Sequence, residues 1–142
     1  MLDEIEFGHA QDSGVDAETE ALARRVIGAA IEVHRIIGPG LPESVYRKAL
    51  AHELELCGIG CAPEARVPVV YKGKTVGEGR VDILVDKRIV LELKTVDQIS
   101  PVHRAQLIAY LQALRLRLGF LINFNVPMLK EGIKRVLNPH TI

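Results

Sequence analysis

The chain is poor in everything that would mark it for export, for a membrane or for a covalent scaffold. No apolar run in its 142 residues approaches the roughly 18 that a spanning helix needs, so no membrane segment is expected. The opening stretch, MLDEIEFGHAQD, is acidic and lacks the basic start and apolar core of a secretion signal. Two cysteines, Cys57 and Cys61, are too few for a disulfide framework, and their CGIGC spacing is not the two-residue gap of common zinc or iron–sulfur motifs. Reduced structural thiols and a cytoplasmic location are therefore expected. Phosphate-binding loops, dinucleotide fingerprints, nucleophile elbows and zinc-helix signatures are absent, as are internal repeats and low-complexity segments.

With 48% apolar and 25% charged residues the chain can bury a proper core, and its length suits one domain. The 18 basic and 18 acidic residues cancel only overall. Seven acids (Asp3, Glu4, Glu6, Asp12, Asp16, Glu18 and Glu20) precede the first Lys or Arg, so residues 21–142 carry a surplus of seven positive charges. We expect a flexible acidic arm over residues 1–16 ahead of a single domain at 17–142. A basic body suits a polyanion whose access the arm moderates, while a merely solvated terminus accounts for the acids equally.

Leu22, Val26, Ala29, Ala30, Val33 and Ile37 recur at three- and four-residue steps, which predicts a helix from about residue 17 to 37. Gly38-Pro39-Gly40 ends it. A second helix starts near Pro42 and runs to Cys57, with Gly58 as its stop. Strands follow at 67–71, then after a turn at 72–74 as a longer strand ending near Val85, and after a second turn at 86–88 as a strand at 89–96. Ser100-Pro101 is an N-cap followed by proline at the first helical position, opening a helix to about Arg117. LGFLINF (118–124) is a continuous apolar run suited to a buried strand, with a short last strand at 133–137. Three strands on tight turns imply an antiparallel meander, and the Ser100 helix is long enough to cross over to a parallel strand. The expected class is α/β with a mixed central sheet flanked by helices.

Alternation over residues 79–95 is the most informative pattern. Val81, Ile83, Val85, Ile89, Leu91 and Leu93 form one aliphatic face directed at the core. The other face mixes Leu84 and Val90 with Arg80, Asp82, Glu92 and Lys94. A three-residue turn at 86–88 sets Asp82 directly opposite Glu92, with Cβ atoms roughly 4.5–5.5 Å apart. A two-residue turn would pair Asp82 with Leu91 instead. Opposed carboxylates repel, and a divalent cation between them relieves the repulsion. Hard oxygen ligands with room for water suit Mg²⁺ or Mn²⁺. Lys94, on the same face, would orient an attacking water or neutralise charge developing on a phosphate. A cross-strand salt bridge, with Lys94 compensating the acids, accounts for the same residues.

Other candidates surround this hairpin. Glu43 lies in the first turn of the second helix, where it either complements the helix dipole or acts as a further metal or water ligand. His34 lies among apolar neighbours, as a core histidine or as a metal ligand. Gln106 and Tyr110 share a face of the Ser100 helix and suit phosphate or base contacts and strand positioning. His103 is expected at the surface.

GLPESVY (40–46) resembles the Gly-x-x-Glu-x-x-Tyr signature of the GxxExxY proteins, and VHRIIGPG, the ELK at 92–94 and the late INF are similar to the same family. That family is placed in the PD-(D/E)XK nuclease superfamily, whose αβββαβ core is the order read above from residue 42, with one extra N-terminal helix. The resemblance implies that Asp82 and Glu92 hold the metal with the Leu93 carbonyl as a further ligand, and that Lys94 is the lysine of the E-x-K element. Glu43 matches the acid on the preceding helix, and Gln106 and Tyr110 match the Q-x-x-x-Y element of RecB-like members. His34 resembles an upstream histidine of some of them. Val81 stands where the superfamily name would put proline, at a position that does not ligate. The implied activity is Mg²⁺- or Mn²⁺-dependent hydrolysis of DNA phosphodiesters, with RNA not separated from DNA and a homodimer compatible with so small a domain. The alternative is a non-catalytic nucleic-acid-binding or regulatory module that keeps the fold.

Overall fold

The predicted first helix is α1, Ala17–Ile37, capped by Asp16, whose carboxylate accepts the Thr19 N–H at 2.7 Å. The second is α2, Glu43–Leu56. It closes in a Schellman arrangement, with Gly58 at φ +73° donating to the Glu55 carbonyl and Ile59 N–H reaching the Leu54 carbonyl at 2.9 Å. Then come β1 (Cys61–Tyr71), β2 (Lys74–Val85), β3 (Ile89–Lys94), α3 (Pro101–Leu114), β4 (Leu118–Asn123) and β5 (Ile133–Leu137). A computed structural model describes residues 13–140 of the chain.

The five strands form one mixed sheet in sequence order, antiparallel except for the β3–β4 pair, which is parallel and bridged by α3. From Glu43 to Asn123 the order is α-β-β-β-α-β, as expected. Helices α1 and α2 cover one face, burying Val26, Ile27, Tyr46 and Leu50 against Ile83, Leu91, Leu93 and Phe120. On the opposite face α3 buries Leu107 and Leu111 against Val81, Val90 and Leu121. A sheet covered on both sides explains why β4 reads as a continuous apolar run and why β3 is buried from Ile89 to Leu93.

Several boundaries move, each for a physical reason. β1 begins at Cys61, not residue 67, because it is an edge strand, where Pro63 and Pro68 cost no ladder bond. α3 ends at Leu114, where Arg115 takes the left-handed conformation (φ 60°, ψ 44°) that glycine usually supplies, and Leu116 N–H bonds the Leu111 carbonyl at 2.9 Å. Val81 packs under α3, not with Ile83 and Val85 under α1 and α2, so the alternation breaks at Asp82.

The expected acidic arm divides. Residues 1–12 lie outside the described residues, whereas Val15 is in the core and the Ser13 carbonyl accepts from Arg117 Nε at 2.6 Å. Glu18 pairs with Arg88 at 3.2 Å, and Glu20 is buried in a two-point pair with Arg135 on β5. Packed structure therefore begins by Ser13, and the acids at 16, 18 and 20 are parts of the first helix and its cap.

Candidate active site

Strand β2 has two partners only over part of its length. Its ladder to β3 runs from Val85–Ile89 to Ile83–Leu91 and stops there. The three-residue turn expected at 86–88 is present, so Asp82 and Glu92 are the next opposed pair. At that step side chains replace the backbone bonds. Asp82 N–H donates to Glu92 Oε1 at 3.1 Å, and Leu93 N–H donates to Asp82 Oδ2 at 2.8 Å. Beyond it, β2 stays with β1 while β3 stays with β4, pairing Glu92 with Leu121 and Lys94 with Asn123. The β1–β2 pairing skips a step at the same level, between Pro63–Ile83 and Ala65–Val81, where Glu64 sits at φ +52°. The acids thus occupy the fork at which two strands part, and they supply acceptors to amides that the ladder no longer serves.

Four predicted residues meet here. Glu92 is 5% exposed, and burial, reinforced by the neighbouring Asp82 charge, pushes its pKa from the usual 4.5 to about 7. Lys94 and the Asp82 N–H bond draw it back, and Glu43 adds to the rise. The Glu43 carboxyl is itself raised, first by burial; Lys94 opposes this, Asp82 adds to it, and Arg47 and His103 draw it down. Glu43, Asp82, Glu92 and Lys94 therefore share one field.

The local folding explains the placement. The Tyr46 hydroxyl donates to the Gly38 carbonyl at 2.6 Å and accepts from Leu41 N–H at 3.2 Å, closing the turn that starts α2 at Glu43. Its buried ring stacks on Phe124 at 4.4 Å. Phe124 N–H in turn bonds the Lys94 carbonyl at 2.9 Å. The Asn123 side chain pairs with both backbone groups of Val96, at 3.1 and 2.8 Å, and so fixes the exit of β3 just past Lys94.

The remaining candidates lie around this group. Leu93 contributes its backbone N–H to Asp82 while its side chain is in the core. His34 bonds the Val126 carbonyl through Nε2 at 2.8 Å, which makes that nitrogen a donor, and its ring centroid is 6.2 Å from Phe124. Tyr110 lies against β2 at Gly79, where an added methyl would come 2.9 Å from the phenol oxygen. Gln106 is exposed one turn earlier on α3. His103 is half-buried, completing the α3 capping box with Ser100 while within electrostatic reach of Glu43.

Sequence reasoning missed one charged member. Arg47 on α2 pairs with Asp82 (Nη1–Oδ1 3.5 Å) and with Glu64 (Nη2–Oε1 3.8 Å). The cation paired with Asp82 is thus Arg47, where the salt-bridge reading expected Lys94. Nothing in the spacing of α2 flags it, since a helical arginine is ordinarily a surface residue. Tyr46 and Asn123 were legible only as parts of motifs.

Among the described residues no three His, Cys, Asp or Glu side chains are gathered as a ready-made metal cage. Asp82 and Glu92 present hard oxygens in a place where negative charge is concentrated and costly. That fits the mode in which Mg²⁺ or Mn²⁺ binds through one or two carboxylates and completes its shell with water and substrate phosphate. A family model for the PD-(D/E)XK nuclease superfamily matches residues 20–136. The chain belongs to that superfamily. No curated protein and no solved structure matches it. Superfamily membership makes a nuclease the coarse assignment and nucleic acid the coarse substrate, and among the described residues no helix is long and apolar enough to cross a membrane.

Proposed function

We propose that this member of the superfamily, of the GxxExxY type, is a Mg²⁺- or Mn²⁺-dependent nuclease acting on DNA. The observation that carries the reading is the fork itself: Asp82, Glu92, Lys94 and Glu43 converge where the β2–β3 ladder ends, and a glutamate there is strained toward neutrality by burial and by other acids. A structural salt bridge gains nothing from an acid so placed, whereas a cation site does.

In this reading Asp82 and Glu92 hold the metal, with Glu43 and the Leu93 carbonyl completing the shell or holding its waters, and His34 standing farther out. A divalent ion held there would supply Lewis-acid chemistry, polarising a bound phosphate and lowering the pKa of a bound water. Lys94, an ammonium donor, holds the attacking water and offsets charge building on the phosphorus oxygens. Tyr110 and Gln106, along α3, position the strand. The outer half of the β1–β2 hairpin supports a polyanion partner, because Arg66, Lys72, Lys74 and Arg80 flank an exposed Tyr71 and Glu78 is the one acid between residues 66 and 80.

The test is cleavage of supercoiled, linear and single-stranded DNA, and of RNA, with Mg²⁺ or Mn²⁺, beside Glu92→Ala. Cleavage by the wild type alone supports the nuclease. Folded, metal-bound protein that binds nucleic acid without cutting it would replace this reading with a non-catalytic binding module.

A further inference from the structure

Arg47 is held by two carboxylates at once, and this has consequences for the metal. One nitrogen of its guanidinium pairs with Asp82 at 3.5 Å and another with Glu64 at 3.8 Å. Its side chain is 20% exposed and that of Asp82 14%, so the pair is shielded from solvent far more than an ordinary surface bridge. Asp82 Oδ2 accepts the Leu93 N–H, so Arg47 engages the other oxygen, Oδ1. A divalent ion on Asp82 would lie a few ångströms from that guanidinium, and the two positive groups repel.

Glu64 gives Arg47 a second anchor. It sits at the skipped step of the β1–β2 ladder, in a left-handed conformation that a glutamate adopts at some cost, and Arg80 pairs with it at 3.7 Å. There is space for the exchange, because a groove of about 560 Å³ between α2 and β1 is lined by Arg47, Lys48, His52 and Glu64.

We propose that Arg47 is a positioning residue that compensates Asp82 in the metal-free protein and moves to Glu64 alone when a divalent cation binds, so that the Arg47–Glu64 pair sets how readily the site takes up metal. This rests on the metal-dependent reading above. Arg47 is not a ligand; it acts through Asp82. The arrangement keeps the fork folded without metal by giving Asp82 a direct ion pair, and it makes metal uptake a competition between cations.

The experiment is calorimetric titration of Mn²⁺ and Mg²⁺ into wild type, Arg47→Met, Glu64→Gln and the double variant, with folding checked by circular dichroism. Arg47→Met removes the competitor, and binding tightens about fivefold. Glu64→Gln removes the second anchor, leaves Arg47 on Asp82 and weakens binding about threefold. Opposite signs separate this from damage to the fold, which would weaken both. In the Arg47→Met background Glu64→Gln has no further effect, and Arg47→Lys stays near wild type. Metal-free Arg47→Met melts below wild type, and added Mn²⁺ closes the gap. Unchanged or weaker binding by Arg47→Met overturns the proposal, as does an undiminished Glu64→Gln effect in the double variant, which would mark a simple field effect. If neither wild type nor Arg47→Met binds metal at millimolar concentration, the metal-dependent reading itself is what fails.

Discussion

The two halves of β2 differ more than most pairs of separate strands. From Val81 to Val85 its side chains are buried or half-buried, and Ile83, Leu84 and Val85 have ladder partners on both sides. From Lys74 to Arg80 the strand has β1 alone, and apart from half-buried Gly79 it is exposed, with Val76 at 56% and, across the hairpin, Val70 at 61%. The candidate ligand Asp82 lies at the border. A fully paired strand has no spare amide for a carboxylate and no gap for a cation, while a two-stranded ribbon cannot bury an acid enough to perturb it. Only the fork offers both, with Glu92 buried on β3 where that strand pairs with β4 and Asp82 freed of its ladder partner.

The largest effect that would sharpen this contrast is on turnover. Lys94→Ala should lower DNA cleavage by about 10²–10³-fold while leaving metal affinity and melting temperature close to wild type. A collapse of folding in that variant would return Lys94 to a structural role. Next comes stability within the one strand. Ile83→Ala should cost about 2–5 kcal/mol in urea denaturation, and Val76→Ala in the outer half less than about 0.5 kcal/mol. Comparable costs would break the comparison.

A third effect comes from the acid at the fork. The folded protein keeps a proton on Glu92 up to about pH 7, whereas the unfolded chain releases it near pH 4.5. Between those values the folded state binds more protons, so metal-free stability falls as pH rises. Glu92→Gln, whose amide oxygen can still accept the Asp82 N–H, should stabilise metal-free protein on the order of 2 kcal/mol at pH 8. That gain should vanish below pH 4.5, as followed by thermal melts across the range. The smallest effect belongs to the outer hairpin. Lys72→Ala with Lys74→Ala should weaken duplex DNA binding and lower the salt slope of log K by about 2, with folding unchanged. An unaltered slope would place the nucleic acid elsewhere.

Some of this architecture was plain in the sequence because single residues carry unambiguous local signals. Asp86-Lys87-Arg88 between two aliphatic alternations suggested a three-residue turn, and the Val85–Ile89 pair chose it over the two-residue turn that would have set Asp82 opposite Leu91. Gly58 marked the end of α2, and Ser100-Pro101 the start of α3. The same Schellman geometry at the end of α3 was hidden, because Arg115 occupies the left-handed position and nothing in an arginine announces it. Cys61 to Arg66 read poorly as strand because proline penalties depend on whether a strand is central or at an edge, which one chain segment does not reveal. Glu18 and Glu20 looked like part of a charge run, while their partners Arg88 and Arg135 are 70 and 115 residues away.

The sequence by itself carried the element order, a three-residue turn that would oppose the two carboxylates with a lysine two residues on, and the superfamily, since each depends on spacing within a few residues or on motifs that spacing defines. Tertiary structure alone decided that Val81 leaves the face of Ile83, that Glu92 is buried deeply enough to resist ionisation, and that Arg47 faces Asp82. Those three depend on which segments pack together and how much water they exclude. Burial and electrostatic pairing are properties of the assembled surroundings, and the chain order of the residues does not carry them.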